Sequence, residues 1–207
     1  ARPLPEFEAS GLHYGFIQFL SAYVPSAPLW LAEGIATYLE YSAFDPSAAS
    51  AGAYRFRPNY AWLDALKGIL RDEPRRIPLT ELLLIGKEDA QRRIEAFYPL
   101  AWGLVHFLKN SPERSYNRVL WEAIAALQPS FDLEQNSRQV SDRAFAWVPS
   151  ERLEQDFADF TLGLTTFNDR VRQGVEEYAA GRLLEAEVSF REALVLREDS
   201  YIPHYYL

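Results

Sequence analysis

The chain has 207 residues, 48% of them apolar, which suffices to bury one good core, or a domain of about 160 residues with a small appendage, and excludes disorder. Its 29 acidic and 21 basic side chains leave a formal charge of −8 and no basic stripe for a phosphate backbone, so nucleic acid is excluded as an expected partner. No apolar run nears the about 20 residues of a membrane span, and the absence of cysteine rules out disulfides and thiolate zinc sites, so any metal must be held by His and carboxylate.

The first residue is Ala1 and no Met occurs, which reads as an excised or processed segment from which a signal peptide could have been removed. Pro5, with Glu6 and Glu8 behind it, suits a first helical turn, where a missing N–H costs nothing and negative charge meets the helix dipole. Phe7, Leu12, Phe16, Phe19, Leu20 and Tyr23 then recur at helical spacing, so a helix is predicted over 5–23, ended by "VPSAP". Ser26 as cap and Pro28 near the first turn introduce a second helix over 29–42. The Ala/Ser/Pro-rich stretch 42–59 reads as a surface loop, either a lid or a long connection.

Further helices are predicted over 60–73, 79–86, 98–110, 112–127 and 149–164, with Pro99 starting or kinking its own. Strand alternation is nearly absent. The expectation is a mainly α-helical domain over 1–164 and a separate helical piece over 165–207.

In that second piece Gly174, Tyr178, Gly181, Ala186, Phe190, Ala193 and Leu196 fall in the register of a tetratricopeptide repeat, with small residues where two antiparallel helices touch. Residues 167–200 resemble one complete repeat, and "SYIPHYYL" resembles the opening of a second. The resemblance implies a helical array that binds proteins or peptides, since one repeat cannot bury its own face.

Upstream, "PLWLAEGIATYLEY" (28–41) resembles the second metal-ligand helix of the gluzincin zinc peptidases, whose pattern runs Trp-Leu-x-Glu-Gly-hydrophobic-Ala. It is most similar to the peptidase MA-like bacterial group, whose members often precede tetratricopeptide repeats. "YPLAWGLVHFL" (98–108) is similar to a later helix of that group. The resemblance spans about residues 5–110 and the repeat. It implies a zincin-like (gluzincin) helical domain followed by a tetratricopeptide hairpin, with a bacterial envelope or secreted setting.

In such peptidases a His-Glu-x-x-His helix puts two imidazoles one turn apart, a later Glu completes the zinc site, and the internal Glu takes a proton from the metal-bound water. Here the set is broken. With His13 as first ligand the motif reads "HYGFI", so Tyr14 stands at the general-base position and Ile17 at the second imidazole. With His13 as second ligand it reads "ASGLH", and Ala9 and Ser10 replace the first His and the base. Either way the resemblance leaves only His13 and Glu33 as metal ligands and no catalytic base.

Two ligands hold zinc weakly, so no cofactor is expected, with zinc the expectation only for an intact site. Glu40 lies two turns after Glu33 and shares its face, which makes His13, Glu33 and Glu40 a rearranged alternative set. Thr37 and Asp45 supply no nearer carboxylate. His106 reads as a core residue of an apolar helix, and His204 as a packing residue of the repeat.

Aromatic residues make up 14% of the chain. Most read as core. A peptide cleft would be lined by Tyr14, Trp30 and Tyr38, while Arg55 and Arg57 read first as a solvated loop face and only second as partners of a peptide carboxylate. Gly34 reads as a point of close approach to the first helix.

Three readings follow. The leading one is a non-catalytic metallopeptidase-like domain coupled to a repeat that binds protein or peptide. The second is an active zinc peptidase with an unusual ligand set. The third is a structural helical adaptor, in which His13 and Glu33 share no cavity.

Overall fold

The computed structural model describes residues 6–44, 54–56 and 59–207, and the protein is mainly α-helical. Pro5, Asp45, Arg57 and most of the expected lid lie outside the described residues. The chain forms two compact units, the first ending at Thr161 and the second comprising Leu162–Leu207. Among the described residues no helix is long and apolar enough to cross a membrane.

The first unit is organised around one helix, α6 (Ile94–Asn110), in which every residue from Pro99 to Leu108 is buried. A helix apolar on all sides belongs at the centre of a core. Helices α2 (Leu29–Glu40), α3 (Tyr60–Arg71) and α7 (Arg114–Ala126) pack against it, and α1 (Glu6–Tyr23) packs on α2. Pro99 lies inside α6 rather than at its start. Its missing N–H would have met the carbonyl of Glu95, an exposed residue at which water can take the place of the lost donor.

Gly34 makes the closest approach between α2 and α6. A Cβ there would lie 2.5 Å from the Ala101 carbonyl oxygen and 2.8 Å from Val105 Cγ2. The close partner is therefore α6, not the first helix as the sequence suggests. Glu33, one residue earlier and about 100° around the helix, turns toward α1 instead.

Between α2 and α3 the chain makes a short antiparallel ribbon, β1 (Ser42–Phe44) with β2 (Tyr54–Phe56), in which Ala43 pairs with Arg55. Asn59 then caps α3 by accepting the Trp62 N–H at 3.1 Å. The expected helix over 79–86 is only α4 (Leu79–Leu82), because Gly86 adopts extended backbone and begins α5 (Lys87–Arg92). Glu154 on α9 (Ser150–Gly163) accepts from both Arg76 and the Leu79 N–H, holding the start of α4.

Helix α8 (Leu133–Ala144) has too few apolar residues to be seen in periodicity. It is set by a capping box, Asp132 with Gln135, and by Asn136, which is wholly buried. The Asn136 amide donates to the carbonyls of Ser26 (3.0 Å) and Gln128 (3.1 Å) and accepts the Gln128 N–H (2.9 Å). One side chain thus ties the α1–α2 link to the α7–α8 link.

The second unit is a helical hairpin, α10 (Phe167–Ala179) and α11 (Leu183–Leu196), followed by α12 (Tyr201–Tyr206). Gly181, at φ +75°, turns the chain in the left-handed region that glycine enters without strain. Gly174 faces the Phe190 ring, which a Cβ would approach to 2.7 Å. Phe190 stacks on Tyr206 with centroids 4.7 Å apart. His204 is not a packing residue: it is exposed, with Nε2 3.2 Å from the Glu198 carbonyl, because α12 spends its inner face on Pro203 and Tyr206.

Two predictions follow from the core. Gly34→Ala gains about 1 kcal/mol of helix propensity but drives a methyl into α6 backbone, so chemical denaturation should show a net loss of about 1–3 kcal/mol. His106 is buried, stacked on Trp102 at 5.0 Å, with Asn110 Nδ2 3.1 Å from its Nδ1. Burial pushes its imidazole from 6.5 down to about 4. Between those values the unfolded chain binds a proton that the folded chain refuses. Stability should therefore be full above pH 6.5 and fall toward pH 4, by an amount on the order of 3 kcal/mol. Urea unfolding across that range should show His106→Gln, neutral throughout, to have a flatter acid limb.

Candidate functional site

Helical spacing builds the site. On α2, Glu33, Thr37 and Glu40 lie at i, i+4 and i+7, one stripe on one face. Thr37 spends its hydroxyl within the helix, donating to the Glu33 carbonyl at 2.6 Å. On α1, Ser10 and His13 stand one turn apart, with Tyr14 beside them.

The packing of α1 on α2 brings His13 between the two carboxylates. Its Nε2 lies 3.3 Å from Glu33 Oε2, and its Nδ1 lies 2.6 Å from Glu40 Oε1. All three side chains are mostly buried. The contacts are close but not aligned: among the described residues His13 Nδ1 and Glu33 Oε2 are buried atoms with no hydrogen bond of good geometry.

Beside this triad is a cleft of about 270 Å³, lined by Ser10, His13, Tyr14, Thr37, Glu40, Trp62 and Tyr98. Tyr98 comes from α6 and Trp62 from α3, and their rings lie 6.3 Å apart, tilted by 26°. Burial first, then the charge of Glu33, holds the Tyr98 proton above the usual phenol range. Burial also raises the Glu40 carboxyl, an effect that the facing His13 offsets only in part and Glu33 reinforces.

Of the aromatic residues expected in the cleft, Tyr14 is there, 66% exposed at the rim. Trp30 and Tyr38 are not. Trp30 is fully buried with its ring 5.8 Å from Phe145, and Tyr38 is buried with its hydroxyl 3.4 Å from the Asn110 amide, since both project from the core side of α2. His106 is a core residue among Trp102, Tyr38 and Phe160. Arg55 lies in β2. Tyr98 was missed; its only signal was a hydroxyl-bearing ring near the start of an otherwise apolar helix.

The geometry bears on metal binding in a specific way. A 3.3 Å separation suits two donors about 2.1 Å from one tetrahedral ion, so His13 Nε2 and Glu33 form one edge of such a site. Glu40 faces the other ring nitrogen. One ion cannot be bonded to Nε2 and also reach a carboxylate on Nδ1, which leaves Glu40 the role of an orienting partner. Among the described residues, no group of three His, Cys, Asp or Glu is arranged to hold a metal. The described donors fit half of a zinc site and not a whole one.

No protein-family model, no curated protein and no solved structure matches this chain.

The Glu40 charge predicts an unusual mutational outcome. A carboxyl raised in the folded state holds its proton more tightly than in the unfolded chain, so its contribution to stability is favourable at low pH and lost as pH rises. Glu40→Gln removes a charge that is poorly served at neutral pH. Thermal unfolding at pH 7 should show this variant at least as stable as the parent, with the difference vanishing in acid.

Proposed function

We propose that the first unit is a catalytically degenerate gluzincin-like domain that binds peptide or protein segments, acting beside a tetratricopeptide-like hairpin that also binds proteins. The observation that carries this reading is the pairing of a ligand-bearing "WLAEGIATYLEY" helix with a helix that lacks the second imidazole and the base. Tyr14, at the base position, is exposed at the cleft rim. A phenol hydroxyl offers no carboxylate oxygen to take a proton from a metal-bound water.

Two further features support binding. The cleft is open and walled by aromatic rings and hydroxyls, the composition of a recognition site. The hairpin exposes Leu184, Val188 and Val195 on α11 and Tyr201 and Tyr205 on α12, apolar and aromatic side chains of the kind that protein contacts cover.

A second reading, an active zinc hydrolase with an unusual ligand set, has one observation in its favour: the His13–Glu33 edge has ligand-like spacing, with Glu40 behind it. It needs a third donor from outside the described residues. The same contact argues against a purely structural adaptor.

Zinc analysis and turnover of a quenched fluorescent peptide library separate these readings. The full chain, dialysed against zinc, should show no hydrolysis above background and no difference from Glu33→Gln. Stoichiometric zinc, with hydrolysis that Glu33→Gln abolishes, would sink the binding reading in favour of the enzyme.

A further inference from the structure

We infer that the cleft between α1 and α2 takes a single cationic side chain, the ammonium of lysine or the guanidinium of arginine, from a bound peptide. This deepens the peptide-binding reading of the first unit and rests on it.

The charge count is the first argument. Two carboxylates face one imidazole, so the cluster carries −1 when His13 is protonated and −2 when it is neutral. Among the described residues no lysine or arginine lines the cleft. That charge is held in a partly desolvated place, with the Glu33 and Glu40 side chains only about a quarter exposed. A cation entering from solvent supplies what the site lacks. An anion is repelled, and a neutral apolar group would strip water from Glu40 while giving nothing back.

Shape and lining choose among cations. At about 270 Å³ the cleft falls just below the roughly 300–1,000 Å³ of drug-sized sites and has room for one side chain. Glu40 and the hydroxyl of Ser10 offer acceptors to an N–H donor, and the near-parallel Trp62 and Tyr98 rings offer apolar faces to an alkyl stem. Tyr14 adds a third ring at the mouth, where a cation over an aromatic face is further stabilised. A bare metal ion would gain little from such rings. A long side chain with a charged tip uses both halves of the wall.

The test titrates the full chain with three blocked tripeptides, acetyl-Gly-X-Gly-amide with X lysine, arginine or norleucine, followed by calorimetry or NMR. At low ionic strength the lysine or arginine peptide should bind about tenfold more tightly than the norleucine peptide, and salt should erode that margin. Glu40→Gln should remove most of the preference. Tyr14→Lys, at a position 66% exposed where the lost contact is the edge of the His13 ring, should abolish it by placing a competing cation at the mouth. Equal binding of all three peptides overturns this inference and leaves peptide binding intact, as does an undiminished preference in folded Glu40→Gln and Tyr14→Lys. Binding of none of them by the folded protein overturns both.

Discussion

The missing side chain of Gly34 is the contact on which the first unit depends. A helix packed against another through a glycine has one rotation about its own axis at which the backbones can touch, and here that rotation sets Ala101 and Val105 against α2. Once it is fixed, every other residue of α2 has its direction. Trp30, Leu31 and Tyr38 go to the core, while Glu33, Thr37 and Glu40 form the stripe that α1 covers. The site is therefore a by-product of core packing. A rotation of α2 by even one residue's worth would bury a carboxylate or expose a tryptophan, and either would cost several kcal/mol.

Two histidines show how far environment decides the role of a residue type. His106 sits in an aromatic box on α6, stacked on Trp102, and burial keeps it neutral. It fills space and accepts one hydrogen bond. His13 stands where two carboxylates converge, one at each ring nitrogen. A sequence shows two imidazoles on helices rich in apolar residues. Only the partners brought in by packing separate a core ring from a site.

Most helices of the first unit were legible because their apolar residues recur at helical spacing. Those that were not have other causes. Helix α8 is polar and exists by virtue of its capping box and one buried amide, Asn136, whose partners are up to 110 residues away. The apolar run 79–86 reads as one helix, yet α4 stops at Leu82 and Gly86 is extended, and α5, with only Ala90 buried, has no apolar stripe to announce it. Within the site, Glu33 and Glu40 were legible as a pair because seven residues make almost two full turns. Trp30 and Tyr38 were misassigned to the cleft because nearness in sequence says nothing of helix phase. Tyr98 and Trp62 reach the site only through packing of α6 and α3 around α2, which no local pattern encodes.

The question left by the His13, Glu33 and Glu40 cluster is why its carboxylates should be where they are. Glu40 is held partly buried beside another carboxylate, with a proton affinity raised by that burial, so at neutral pH its charge works against the fold. Glutamine would fit the same space, keep a polar tip toward His13 and avoid the penalty. Folding alone therefore gives no reason for a carboxylate at this position. A group whose charge is poorly compensated in the free protein becomes well compensated when something positive enters the cleft, and the energy withheld from folding then appears as affinity. A cluster that no ligand fills has nothing to offset that charge.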